Sequence, residues 1–370
     1  MTGPRVLLVS KPVVPPWNDS GKNIVRDVAR FGSRYTYHVM TTRGAEPPGT
    51  DCVAEAVYGD AGSYSPGVAQ NLRVLLRLLR PDGAAIHHYF FAPNPRTSAV
   101  ARLVTALRRR PTVQTVSSSP LTYEGVARLC FGDRVVALSA YNRRMLEGAG
   151  VGGVVHVPPG IPVPALREDR AEVRALHGLP LDRPVILFAG DYQYSSAATV
   201  LAEAIPRVLA GRAAHFVYAC RIKQEASRIV EGRVREAIRA AGVAADVTFL
   251  HEVDDMEGLI AASDLSTMPA ESLYAKMDLP LVLLECLAQQ VPLVVADVEP
   301  LVEVLGGRDD WGVAVPPKDP VALATALGRL LDAPERLRVM GEAGRQAVFA
   351  RWSAQVMAAA YEDIYDEVRR

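Results

Sequence analysis

The sequence predicts an α/β protein of two Rossmann-like domains, each a doubly wound parallel sheet. Three observations lead there. Short apolar runs alternate with helix-like stretches along the whole chain, and a nearly continuous apolar run marks a strand buried on both faces of a parallel sheet. The alternation comes in two series separated by a proline-rich break, which argues for two sheets. At 370 residues, 49% apolar and 22% charged, the chain is long enough for two ordinary cores.

The first series is VLLVS (6–10), YHVMT (37–41), AAIHH (84–88), TVQTV (112–116), RVVAL (134–138) and VVHV (154–157). The break follows in VPPGIPVPALRED (157–169), where four prolines and a glycine interrupt the pattern. The second series is VILFAG (185–190), HFVYA (215–219), VTFL (247–250), PLVVA (292–296) and GVAV (312–315). Helices are expected between these runs, among them 196–210, 224–241 and 320–331. After Trp352 a long amphipathic helix is expected, with Val356, Ala360, Ile364 and Val368 on one stripe. Domains of 1–158 and 159–352 follow. Ligands of doubly wound sheets sit at the carboxyl ends of the strands, so two such domains are expected to hold substrate in a cleft between them.

Forty-one basic and forty-one acidic residues leave no formal net charge, which removes the bulk electrostatic argument for a nucleic-acid partner. Cys52, Cys130, Cys220 and Cys286 are widely spaced and form no Cys-x-x-Cys pair, as expected of reduced thiols in the cytoplasm rather than disulfides or zinc ligands. The first apolar run is broken by Lys11 and Pro12, too early for a secretory signal. No run approaches a membrane span. None of the seven histidines forms an HxxH or HxxxH pair and no Asp-x-Asp occurs, so no metal site is expected.

The richest stretch is 275–296, AKMDLPLVLLECLAQQVPLVVA, which reads as loop, helix and buried strand. Pro280 suits the first helical turn. Leu281, Leu284, Cys286, Leu287 and Ala288 make a helix apolar enough to be buried, and Glu285 is its exception. A carboxylate there demands partners, which polyol hydroxyls could supply. The amides from Leu279 to Val282 and the positive end of the helix dipole would suit a diphosphate about a turn away. The plainer alternative is a buried helix with one snorkelling glutamate.

Elsewhere, Asp19 and Ser20 are candidate caps beside Gly21, where backbone can approach a ligand closely. Arg221 and Lys223 leave the end of HFVYA, placed for phosphate by a forked guanidinium and a point charge, or simply solvated. Adjacent His87 and His88 point to opposite faces of a strand; a satisfied core histidine is the simpler reading of each, though one could line a cleft. Ser117, Ser118 and Ser119 could meet hydroxyls or merely form a turn. The basic helix 101–111 could touch anionic lipid, but arginines at a helix C-terminus are more simply matched to its dipole, and that reading is preferred.

The 275–296 segment resembles the donor-binding signature of the retaining glycosyltransferases of family 4, of GT-B fold, and the resemblance extends over the whole chain. In that signature a first Glu contacts the transferred sugar and a second, eight positions on, the nucleotide ribose. Glu285 matches the second; Met277 stands at the first, and Leu279 and Pro280 replace two loop glycines. Lys276 to Pro280 looks like a variant loop in which Asp278 takes over the sugar hydroxyl and Lys276 faces phosphate or carboxylate. The family's arginine and lysine after the first strand of the second domain are missing from AGDYQYSSAA (189–198), which still places Gly190 and Asp191 beside the donor. The resemblance gives their task to Arg221 and Lys223, in stabilising the departing diphosphate. It also implies that His251, Glu252 and Val253 hold the base through main chain, that Gly21, His88, Ser117 and Ser118 line the acceptor side, and that 353–370 crosses back onto the first domain. The implied activity is metal-independent transfer, with retention, of a hexose-type sugar from UDP or GDP to a small-molecule acceptor without a cofactor. An epimerase of the same fold, or a silent nucleotide-sugar-binding partner, are the alternatives.

Overall fold

The computed structural model describes residues 3–59, 67–81, 83–222, 224–274, 276–307 and 309–370. They form two compact units. The first comprises Met1–Pro162, Tyr274–Leu279 and Arg351–Arg370, the second Val163–Leu273 and Pro280–Ala350. The chain passes between them after Pro162 rather than after 158, and Tyr274–Leu279, expected in the second domain, belongs to the first.

The first unit runs β1 (Arg5–Val9), α1 (Ser20–Phe31), β2 (Thr36–Thr42), β3 (Cys52–Tyr58), α2 (Val68–Leu79), β4 (Ile86–Phe90), α3 (Pro95–Arg108), β5 (Thr112–Val116), β6 (Arg134–Ala137), α4 (Ala140–Gly148) and β7 (Val154–His156). Its strands pair in parallel in the order β3-β2-β1-β4-β5-β6-β7, so the winding reverses between β1 and β4. The central strands β4 and β5 are buried at every position, although His87 and His88 in one and Thr112, Gln114 and Thr115 in the other interrupt their apolar runs. Strand β3 is absent from the sequence expectation. At the sheet edge, CVAEAVY needs neither a continuous apolar run nor clean alternation.

The second unit runs α5 (Arg170–Leu176), β8 (Val185–Phe188), α6 (Ala197–Leu209), β9 (His215–Ala219), α7 (Glu225–Ala240), β10 (Val247–Leu250), α8 (Met256–Ala261), β11 (Leu265–Met268), α9 (Leu281–Ala288), β12 (Leu293–Ala296), β13 (Gly312–Val315), α10 (Pro320–Leu331) and α11 (Pro334–Arg351). Its parallel order is β10-β9-β8-β11-β12-β13, with the reversal between β8 and β11. Strand β11, LSTM, also escaped the sequence reading because serine and threonine break its run. Burial is satisfied there by the Thr267 hydroxyl donating to the Val294 carbonyl at 3.0 Å.

The last helix, α12 (Ala354–Arg369), returns to the first unit. Its buried face is Ala354, Met357, Ala358, Tyr361, Ile364 and Tyr365, while Val356 is exposed. The expected stripe at uniform spacing of four drifts about 40° around the helix per step, whereas alternating steps of three and four hold one face. Glu362, also buried, fastens the helix: its carboxylate accepts from the Ser33 and Arg34 amides, both at 2.7 Å, and from the Tyr37 hydroxyl at 2.9 Å.

Candidate active site at the carboxyl edge of the second sheet

In a doubly wound sheet the crevice for a ligand opens at the carboxyl ends of the strands where the winding reverses, here beyond β8 and β11. At Gly190 a Cβ would fall 2.5 Å from the Phe188 ring, so only glycine lets the chain turn there. Asp191 is buried, and its Oδ1 faces the Gln193 and Tyr194 amides at 3.3 Å each. Tyr192 stacks on Tyr218, with ring planes 7° apart, and Tyr218 stacks on Phe249 with centroids 5.0 Å apart, a ladder across the ends of β8, β9 and β10.

Across the reversal point, Glu271 follows β11 and its carboxylate accepts from the Ser196 amide at 2.9 Å and the Ser196 hydroxyl at 2.9 Å. Ser196 precedes α6, so the positive end of that helix already holds an anion. Sequence reasoning passed over Glu271; the available signal was an acidic residue within three positions of a strand's carboxyl end.

Beyond β9, Cys220 is tied to β10 by its amide donating to Leu250 O at 3.0 Å, and partly buried Arg221 follows. Lys223 lies outside the described residues. Beyond β10, His251 Nε2 sits 3.0 Å from the carboxylate of Glu231, which also accepts from Arg235 at 2.6 Å. Burial would raise the Glu231 carboxyl, but the hydrogen bonds from His251 and Arg235 outweigh it and hold it below its ordinary value. Arg235 lies over the Phe249 ring at 3.9 Å. The His251 ring is thus committed to α7, and Val253, partly buried, follows it in the turn.

Because α9 connects parallel neighbours β11 and β12, its first turn faces the same edge. Leu281, Leu283, Leu284, Cys286, Leu287 and Ala288 are buried. Glu285 is partly buried in the second turn, and Val282 is partly buried in the first. Pro280 precedes the helix in an extended conformation, ψ 120°, rather than occupying its first turn, and no side chain caps the amides that follow. Gly190, Asp191, Arg221, His251, Val253, Leu281, Val282 and Glu285 therefore belong to one edge of one sheet.

Lys276, Asp278 and Leu279 do not; they lie in the first unit. The expectation that Asp278 opens the helix and offers its carboxylate to a sugar is corrected by its surroundings. Asp278 is 1% exposed. Its Oδ1 accepts from the Ser119 amide at 3.0 Å and hydroxyl at 2.6 Å, and its Oδ2 from the Ser139 hydroxyl at 2.9 Å. Burial pushes its carboxyl above the ordinary value, and the serine hydrogen bonds offset that only in part. Leu279 is buried as well.

His88 is likewise corrected as an acceptor-side residue. It is 0% exposed, with Nδ1 2.7 Å from the Tyr365 hydroxyl and Nε2 2.8 Å from Thr115 Oγ1, and burial keeps the ring neutral. It is a core histidine that docks α12. Gly21 lies in the first turn of α1, where its amide donates to the capping carboxylate of Asp19 at 2.9 Å. Ser117 and Ser118, partly buried, follow β5 at the carboxyl edge of the first sheet. Among the described residues no group of His, Cys, Asp and Glu could hold a metal, and no helix is long and apolar enough to cross a membrane.

Two doubly wound parallel sheets with these reversal points define a protein of the GT-B class. A family model described as "Glycosyl transferases group 1" matches residues 183–333. A D-inositol 3-phosphate glycosyltransferase of Xylanimonas cellulosilytica is 30% identical over 100% of this chain and 98% of that protein. A GDP-mannose-dependent alpha-(1-6)-phosphatidylinositol monomannoside mannosyltransferase of Mycobacterium tuberculosis is 26% identical over 97% of both. A D-inositol 3-phosphate glycosyltransferase 2 of Catenulispora acidiphila is 34% identical over 60% of this chain, and that match spans about half of the relative, 52%. Among solved structures, a glycosyltransferase of Rickettsia africae superposes with TM-score 0.77 at 17% identity, covering 100% of this chain and 99% of that one. The Anabaena protein HepE in complex with UDP-glucose does so at 0.75 and 13% identity, covering 98% and 99%. The chain belongs to the group 1 glycosyltransferases, family 4, of GT-B fold.

Proposed function

We propose that the chain transfers a hexose-type sugar from a nucleoside diphosphate sugar, UDP- or GDP-linked, to a hydroxyl or amine of an acceptor, with retention of anomeric configuration and without a metal. One observation carries this: Glu285 interrupts an otherwise buried apolar helix whose uncapped first turn faces the carboxyl edge of the sheet. That pairs a carboxylate for ribose hydroxyls with amides for the diphosphate. Arg221 at the end of β9 adds a cation to stabilise the leaving group as its charge develops. The donor class agrees with a GDP-mannose-dependent relative and a UDP-glucose-bound structural neighbour.

Thermal shift against a panel of nucleotide sugars tests the reading, since a donor at a hundred times its Kd adds about 2.7 kcal/mol. Product nucleotide should then appear with acceptor and persist in chelator. Stabilisation by no nucleotide sugar would sink the proposal, and dependence on Mg²⁺ or Mn²⁺ would remove its metal-free part.

A second reading, binding without transfer, draws on the commitment of Asp278 to Ser119 and Ser139 while Met277 stands where a sugar-contacting carboxylate would be. Donor binding with no turnover over a broad acceptor screen would favour it.

A further inference from the structure

Helices α6 and α10 pack side by side in the second unit. A hollow of about 350 Å³ opens along them, walled by Val321, Ala324 and Gly328 of α10, with Arg207, Arg212 and Arg329 around it. Each helix follows a strand of the parallel sheet and so runs back from its carboxyl edge, which puts the arginines at the far ends, away from the donor edge. Arg207 and Arg329 stand in last turns and Arg212 just beyond α6. A helix dipole accounts for a cation at each of these ends. It does not account for three arginines lining one hollow.

Their hydrogen bonds leave most of the donors unspent. Arg212 gives Nε and Nη2 to the Asp332 carboxylate, at 2.8 and 2.5 Å. Its Nη1 lies over α10, where a Cβ at Gly328 would fall 3.0 Å from it and 2.9 Å from Cζ, so the absence of a side chain there lets the guanidinium settle against the helix. Arg207 donates through Nη1 to the Glu203 carbonyl at 2.6 Å, which leaves Nε and Nη2. Arg329 is exposed and makes no hydrogen bond or ion pair among the described residues. The Glu203 carboxylate, a turn before Arg207, is exposed and does not line the hollow. Three guanidinium groups around one hollow repel one another, and Asp332 offsets only one of them.

We infer that this hollow is a second ligand site, and that it takes a small phosphate ester. The phosphate is held by the forks of Arg207 and Arg329 with Arg212 Nη1 beside them, and the organic part rests on Val321 and Ala324. Chemistry selects this class. All three cations are arginine, whose planar fork matches a tetrahedral oxyanion two bonds at a time, where lysine would offer only a point charge. The volume lies at the small end of the range for small-molecule sites, enough for a phosphate with a compact organic group. The apolar wall gives that group a contact that bare phosphate lacks. The inference stands apart from the transferase proposal, because none of these residues lies at the donor edge.

The test is isothermal titration of the full chain with glucose 6-phosphate, inorganic phosphate and glucose as probes, at about 0.1 M salt. Glucose 6-phosphate should bind with a Kd of about 1 mM or lower, several-fold more tightly than phosphate, and glucose should not bind. Saturating UDP or GDP should not displace it, and Glu285→Ala should bind it as wild type does. Arg207→Ala with Arg329→Ala should weaken it about tenfold or more, and Arg207→Lys with Arg329→Lys by less, since the charge stays while the forks go. Val321→Glu keeps every arginine and sets a carboxylate on the exposed wall, so it should abolish binding and decides the matter if the arginine variant fails to fold. Displacement by nucleotide, or loss in Glu285→Ala, would put the phosphate at the donor edge and overturn the inference. So would unchanged binding in the arginine and Val321→Glu variants, or none up to about 10 mM ester. Equal affinity for ester and inorganic phosphate would overturn the assignment of an ester. Donor-induced thermal shifts should be unchanged in all these hollow variants, so a failure of the donor reading and a failure here are told apart.

Discussion

Replacing Asp278 by asparagine should cost less stability as pH rises, which is the reverse of what a carboxylate paired with a cation would show. The side chain is 1% exposed and receives three hydrogen bonds, two from Ser119 and one from Ser139. Its carboxyl is raised from 3.8, first by burial. A group whose folded value lies above its unfolded value holds more protons folded than unfolded in the interval between them. Its contribution is therefore complete at low pH and is lost as pH climbs from 3.8 through the raised value. Asp278→Asn keeps an oxygen for Ser119, turns an amide toward the Ser139 hydroxyl, and carries no charge to bury. We expect a loss of about 1 kcal/mol or less near pH 7.5, and a larger one near pH 4.5. Asp278→Ala leaves the Ser119 amide unpaired and should cost about 1–3 kcal/mol more than Asp278→Asn, with the same decline as pH rises. Urea unfolding of the three proteins across that range measures this. A penalty for Asp278→Asn that grows with pH would refute the argument, since it would mean the folded state favours the ionised form. Loss of nucleotide-sugar affinity with bare nucleotide affinity and stability intact would return Asp278 to the sugar.

Glu285→Ala should weaken donor binding about 10- to 100-fold, the value of a hydrogen bond to a charged group, and unchanged affinity in a folded variant would remove the ribose assignment. Arg221→Ala should lower kcat more than it raises KM if the guanidinium acts on the departing diphosphate; wild-type kcat would return it to a solvated role. Glu55 behaves oppositely to Asp278. Burial would raise its carboxyl, but hydrogen bonds from Arg77 and His38 hold it at about 2, so its stabilisation is present above 4.5 and lost as pH falls toward 2. After allowance for solvent screening, Glu55→Gln should cost about 1–2 kcal/mol at neutral pH and converge with wild type in acid, as pH-dependent melting will show. Gly190→Ala, whose Cβ would meet the Phe188 ring at 2.5 Å, should destabilise by about 1–3 kcal/mol, and a neutral effect in calorimetry would mean the loop relaxes freely.

Strands buried on both faces were legible because continuous apolar runs have few other uses. Eleven of the thirteen described strands coincide with a run read from the sequence. The two that escaped, β3 and β11, are an edge strand with a glutamate and a central one whose serine and threonine find partners only once the sheet exists. Loops proved harder. The spacing around Asp278 suggested a helix opening, but the peptide from Tyr274 to Leu279 joins the other unit, and nothing in its composition encodes Ser119 after β5 and Ser139 before α4, which receive it. His88 was legible as a core residue by the plainer reading, since two adjacent histidines inside a strand are more often enclosed than displayed. Exposure of Leu103 and Leu107 was not legible, because helical periodicity identifies a stripe without saying whether it meets a sheet or water.

The missing bases of the loop after β8 and the unforeseen Glu271 explain each other. An arginine or lysine in 189–198 would stand beside a carboxylate already bound to the Ser196 amide and hydroxyl, and would be neutralised by it. The same carboxylate occupies the positive end of α6, so a diphosphate approaching that helix would meet like charge. Two other sources of positive potential are described along this edge: the first turn of α9, which no side chain caps, and the arginine that follows β9. On the donor reading, the phosphates are therefore drawn toward α9 and Arg221, and Glu271 acts by closing the competing site. Glu271→Gln separates the two ideas. If the carboxylate only braces α6, the variant should lose stability and keep donor affinity. If it directs the phosphates, nucleotide should bind as well or more tightly while transfer slows, because the diphosphate can then settle at the wrong helix.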